Sequence, residues 1–230
     1  MWNTNQVTGI LGAFNVQGAR WDRGRRRFAP REGEVPSVVA QLRPDDVEGL
    51  CARVANRCDE DAEECDVTGG GTANGAASGL SALYLHQARR VELVPAGAAL
   101  PLTLADREWE VATVSPLATA TSAATHWAPF GLLEMLNGGG AIVASRLVVT
   151  FGRPPTAHVR MRATGLFGAY CQPRPRAVRI NGQPLEFVYD GASGLLQVPM
   201  VRSSDAAELT IEFPRRPLAN VGKGGGGGDE

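Results

Sequence analysis

Between Arg176 and Met200 the chain reads RAVRINGQPLEFVYDGASGLLQVPM, and its side chains sort by twos. Leu185, Phe187 and Tyr189 fall on one face, Glu186 and Val188 on the other. A period of two marks a β-strand with one buried face. Asn181-Gly182 fits a type I′ hairpin turn, whose central residues both need φ above zero. Asp190-Gly191 to Gly194 supplies a second turn. The same signature recurs along the chain. Segments 7–16, 35–42, 80–94, 107–114, 128–136, 141–150, 156–170, 176–190 and 194–213 are short, rich in Val, Leu, Ile, Phe and Tyr, and bounded by Gly, Pro, Asn or Asp. They are predicted as strands, and short strands with turn signals every ~8–12 residues predict an all-β sandwich or barrel.

One stretch departs from this pattern. RPDDVEGLCARVANRCDEDAEEC predicts a helix from about Asp46 to Arg57, with Asp45 as its N-cap after Pro44 and Val47, Leu50 and Val54 as its apolar stripe. DVTGGGTANGAASG follows as a flexible polar linker, and the chain closes on the Gly-rich, disordered GKGGGGGDE. The predicted organisation is one β domain over 1–217, with a helical or disordered insertion at about 45–78 and a tail over 218–230.

Composition adds limits. A chain of 230 residues buries roughly 70% of the surface its unfolded form exposes, enough for a sizeable core. Of its 23 basic residues only Lys223 is a lysine, and the formal net charge is −1. Nucleic-acid-binding domains usually carry a marked basic excess, so no nucleic-acid partner is expected. The five arginines within Arg20–Arg27, interleaved with Trp21 and Phe28, therefore read as an exposed loop over Trp21–Arg31. MWNTNQ has neither the basic nor the apolar region of a secretory leader. No apolar run approaches the ~18 residues of a membrane span. The expectation is a cytoplasmic protein, with a plastid as the other compartment, that keeps its thiols reduced and does not engage a membrane. The same missing leader also fits a chain that starts inside a larger protein.

The candidate chemistry is sparse. Cys51, Cys58 and Cys65 fall seven apart, and on a helix each step is ~10.5 Å, too far for one metal. No metal site is expected, and Cys171 reads as a packed strand-end residue. His86, His126 and His158 each lie in or beside a strand, with no G-x-S-x-G elbow to give one a catalytic partner. Asp and Glu gather in the 58–66 run and at turns such as Asp190, so no pair stands out as the two carboxylates of a glycosidase. The glycine clusters at 69–71, 138–140 and 224–228 lack the Lys-Ser/Thr of a phosphate loop and read as linker, turn and tail.

Longer motifs carry more. WNTNQVTGILGAFNVQGARW resembles the opening of the C-terminal domain of the raffinose synthase and seed-imbibition protein (alkaline α-galactosidase) family, within glycoside hydrolase family 36. The likeness runs through Trp2, Asn3, Asn5, Gly9, Gly12, Phe14, Asn15, Gln17, Gly18 and Trp21. In order after it, LRPDDVEGL, ALYLHQARRVELVPAGAALPLTL, WEVATVSPL, HWAPFGLLEMLNGGGAI and MRATGLFGAYCQPRPRAVRINGQPLEFVYD are similar to further segments of that family. Gln6 and Val16 depart from its usual Lys and Cys. The 58–78 insertion is longer and more acidic than expected, and the 143–156 segment is abbreviated.

The resemblance implies an antiparallel β-sandwich from a protein that transfers or hydrolyses α-galactosyl groups by double displacement. Galactinol, sucrose and raffinose would be its sugars, without a cofactor. Its two catalytic aspartates would lie on an upstream (β/α)₈ barrel, in K-x-D and S-D-D-F-like motifs. Neither occurs here: Lys223 is in the tail, and Asp45-Asp46 is flanked by Pro44 and Val47. No catalytic residue is carried over, substrate-binding residues stay unassigned, and the expected partner is the missing barrel. The other reading is a free-standing carbohydrate-binding module that uses Trp21, Trp109 or Trp127; strand patterning puts Trp109 and Trp127 in the core.

Overall fold

A computed structural model describes residues 1–30, 33, 35–50, 79–120, 124–150, 153–201 and 206–215. The insertion cysteines Cys51, Cys58 and Cys65, most of the predicted helix and the Gly-rich tail lie outside them. The described chain is all-β and antiparallel, as predicted.

Three five-stranded sheets and a two-stranded ribbon stack in layers. The ribbon pairs β5 (Val38–Leu42) with β8 (Leu100–Leu104). The first sheet has the order β1-β2-β9-β6-β7, built from Trp2–Thr4, Gly9–Phe14, Trp109–Pro116, Leu80–Leu85 and Arg90–Pro95. The second has the order β10-β11-β14-β18-β17, from Ala118–Ala120, Thr125–Leu132, Leu166–Gln172, Leu195–Pro199 and Val188–Asp190. The third has the order β12-β13-β19-β15-β16, from Ile142–Val148, Thr156–Met161, Ala207–Glu212, Ala177–Ile180 and Gln183–Pro184.

Alternation explains the stacking. On β6, Leu83 and Leu85 enter the core shared with the ribbon, whereas Ala82 and Tyr84 enter the core shared with the second sheet. On β14, Phe167, Ala169 and Cys171 face the third sheet and Tyr170 faces the first. A strand buried on both faces reads as a continuous apolar run, as LSALYL does. The stack is therefore deeper than a two-sheet sandwich.

Several elements differ from the sequence reading. Segments 80–94, 156–170 and 194–213 each hold two strands; the first two are divided by turns at Gln87–Arg89 and before Gly165. The stretch predicted as an exposed loop is, as far as it is described, a hairpin: β3 (Ala19–Asp22) pairs with β4 (Arg27–Pro30). Trp21 lies opposite Phe28, edge to face at 5.2 Å, and the Asp22 carboxylate accepts from the N–H groups of Gly24 and Arg25. A cross-strand aromatic pair and a side-chain-closed turn hold a ribbon that the charge pattern hides. The predicted helix begins as one 3₁₀ turn, Pro44–Asp46. Asp45 caps nothing there; its carboxylate accepts from Gly97 N–H at 2.7 Å. Gly49 at φ 70° breaks the helical path before Leu50, although Val47 and Leu50 are buried as their stripe predicts. The Asn181-Gly182 turn has φ 48° and 80°, both positive as required.

Candidate functional site

Many motif residues turn out to be clamps. Asn15 is buried at the end of β2, and its Nδ2 donates to the carbonyls of Pro36 and Leu104, both at 3.1 Å. Its Oδ1 accepts from Gln17 N–H, which fixes the Asn-Val-Gln-Gly corner. Asn5 Nδ2 donates to Asn137 Oδ1 at 2.8 Å, tying the WNTN opening to the LNGGG turn. Gly131, at φ 92° beside a β-bulge, lies against the Gly138 carbonyl, where no Cβ fits. These residues shape the molecule.

The three histidines lie on three different sheets. His86 at the end of β6 bonds Thr113 Oγ1 at 2.9 Å, and His126 on β11 bonds Thr119 Oγ1 at 3.1 Å. His158 on β13 bonds Thr156 Oγ1 at 3.3 Å. The structure does not bring them together. Cys171 is buried in the core, and burial holds its thiol far above the ordinary range, so it is no nucleophile at neutral pH. Among the described residues no group of three His, Cys, Asp or Glu side chains is placed to hold a metal ion.

The tryptophans divide. Trp127 is 1% exposed, stacked on Phe167, and donates its indole N–H to Ser145 Oγ at 3.0 Å. Trp21 is exposed on the hairpin. Trp109, expected in the core, is only half-buried, because it opens β9 at the margin of the first sheet. Trp2 is also exposed, a candidate that sequence reasoning passed over because it opens the chain ahead of the predicted strands.

Trp109 borders a cleft of about 410 Å3 between the first and second sheets. Tyr84 and Leu133 line its apolar wall, and Gln87, Arg89, Glu134 and Gln197 bring polar groups to it. The turn over it is fixed by the buried Glu110 carboxylate, which accepts from the N–H groups of Gln87 (2.8 Å), Ala88 (3.1 Å) and Val111 (3.0 Å). The Glu of the WEV motif thus positions Gln87 and Arg89. Burial lowers the pKa of His86, against the opposing pull of Glu110 and a backbone hydrogen bond with Leu133, so its ring is neutral near pH 7. Burial raises the Tyr84 hydroxyl, with Arg89 opposing. Sequence reasoning missed this cleft because its residues come from β6 and the turn after it, β9, β14, β18 and the turn after β11, with no shared spacing.

A second, larger hollow of about 890 Å3 is framed by Met1, Trp2, Leu11, Phe14, Val16 and Leu42. Trp2 is 48%, Phe14 47% and Val16 73% exposed, an apolar surface beside an otherwise finished core.

A profile of the family described as "Raffinose synthase or seed imbibition protein Sip1" matches residues 1–200. The chain is 32% identical over 197 residues to a probable galactinol–sucrose galactosyltransferase 1 of Arabidopsis thaliana, covering 85% of this chain and 23% of that protein. It is 31% identical over 206 residues to a galactinol–sucrose galactosyltransferase of Oryza sativa subsp. japonica, covering 89% and 23%. A stachyose synthase of Pisum sativum is 24% identical over 216 residues, covering 93% and 23%. The chain therefore spans about a quarter of the length of the curated relatives it matches.

Proposed function

This chain belongs to the raffinose synthase or seed imbibition protein family, and on that premise we propose that it is the sandwich region, over 1–217, of a galactosyl-transferring enzyme of the galactinol–sucrose type. Its role is to seat and stabilise a catalytic (β/α)₈ barrel of the glycoside hydrolase family 36 kind, carried by sequence beyond these 230 residues. The observation that carries this reading is the uncovered apolar hollow around Trp2, Phe14 and Val16 in a chain matching 23% of its relatives' length. A contiguous apolar patch of this kind marks a surface meant to be covered. The site chemistry agrees with it. The Glu110 carboxylate, which lines a cleft beside Trp109, is already occupied by three backbone donors.

The purified 230-residue chain is expected to give no galactosyl transfer from galactinol to sucrose and no hydrolysis of raffinose. Turnover of either by the chain alone overturns the proposal.

A further inference from the structure

We propose that the cleft bordered by Tyr84, Trp109, Glu134 and Gln197 is a binding site for an uncharged saccharide. The inference does not rest on the supporting role above: a sandwich that seats a barrel needs no such cleft.

Three properties of the cleft point to this ligand class. Its volume, about 410 Å3, falls in the range of about 300–1,000 Å3 of small-molecule sites. Its accessible apolar wall is the Trp109 indole with Leu136 and Leu166, over the buried Tyr84 and Leu133, a surface that the C–H face of a pyranose can cover. Its polar groups alternate in character: the Gln87 and Gln197 amides each donate and accept, Arg89 only donates, and Glu134 only accepts. Vicinal hydroxyls both donate and accept, so such a mixed set matches them. Among the described residues the Gln87, Glu134 and Gln197 side chains form no hydrogen bond or ion pair within the protein.

The charge balance selects against other ligands. Arg89 and Glu134 offset one another, and Glu110 below them is already engaged. An anion such as a phosphate would find a single arginine opposed by a carboxylate. A cation would find one carboxylate opposed by an arginine. A neutral, hydroxyl-rich ligand meets no such penalty. The site also has room to extend: Gln87 and Trp109 line a neighbouring cleft of about 630 Å3, where Arg90 and Arg107 stand with Glu108 and Glu110. A ligand of more than one ring can follow the surface past Trp109.

The test is an amide and indole NMR titration of the 230-residue chain with methyl α-galactopyranoside and with sucrose, with inorganic phosphate as the charged control. Saturable shifts are expected at Gln87, Arg89, Glu134, Gln197 and the Trp109 indole N–H, with affinity in the millimolar range. Glu134→Ala and Gln197→Ala, at accessible positions that leave the core intact, should each weaken binding about tenfold, the loss of one hydrogen bond. Absence of saturable shifts with both sugars overturns the proposal. So do shifts confined to another part of the surface, unchanged affinity in both variants, or a response to phosphate and not to sugar.

Discussion

Trp127 and Phe14 both come from apolar strand patterns, and the structure treats them oppositely. Trp127 lies between the second and third sheets, stacked on Phe167 and edge-on to Phe213, with its N–H satisfied by Ser145. Phe14 ends β2, leans on Trp109 at 6.5 Å, and leaves nearly half its surface open beside Trp2 and Val16. One region is a closed core and the other is a half-made one. A period of two tells which residues share a face; it does not tell whether that face is covered. Coverage depends on what the sheet packs against, and for the margin of the first sheet no described element supplies it.

The comparison breaks first at its closed end. Trp127→Ala should cost about 3–5 kcal/mol, because it opens a cavity and strands Ser145. Urea denaturation should show a large drop in midpoint with little change in slope. A loss under about 1 kcal/mol would mean that the second and third sheets are not one core. Asn15→Ala comes next. It removes the amide that holds the Pro36 and Leu104 carbonyls, a loss of about 1–3 kcal/mol for buried acceptors left unpaired. Asn15→Asp should cost as much or more, since a carboxylate cannot donate to either carbonyl.

These variants also mark what the sequence disclosed. The all-β class, the Asn181-Gly182 turn and the faces of Leu185, Phe187 and Tyr189 were legible, because each depends on neighbours in the chain. The β3–β4 hairpin was not, since its arginines mask the Trp21–Phe28 pair that holds it. The ribbon strand Leu100–Leu104 was missed because Pro101 and Thr103 dilute its pattern at an edge. The start of the predicted helix is displaced by Gly49, whose positive φ is a tertiary fact, and the rest of it lies outside the described residues. Motif order pointed to the family but not to the cleft, whose lining is assembled only when the first two sheets meet. The clamps at Asn15 and Glu110 stood inside quoted motifs with no sign of their roles.

A smaller effect belongs to the junction between the two regions. His86 titrates below its ordinary value because burial disfavours its charged form. The unfolded chain therefore binds the proton first as pH falls, and stability present above about pH 6.5 is lost progressively below it. Tyr84, Glu110, Thr113, Arg89 and the Leu133 backbone surround the ring. Denaturation at pH 7.5 and 5.5 should show the fall, and His86→Gln should flatten it. An identical pH slope in the variant would remove His86 as the source.

The smallest effect on stability should bring the largest change in solution behaviour. Trp2→Ser and Phe14→Ser alter side chains about half exposed, so each should shift stability by no more than about 1 kcal/mol. Yet both reduce the apolar surface around the hollow beneath Met1. If that surface is a seat without its occupant, the parent chain should associate as concentration rises, and the double variant should stay monomeric in sedimentation velocity. Trp21→Ser, on the hairpin away from the hollow, is the control and should leave association unchanged. A parent chain that is monomeric throughout would show that the open margin needs no cover, and the contrast with the Trp127 core would then be one of burial alone. Association abolished by Trp21→Ser instead would move the docking surface to the arginine hairpin.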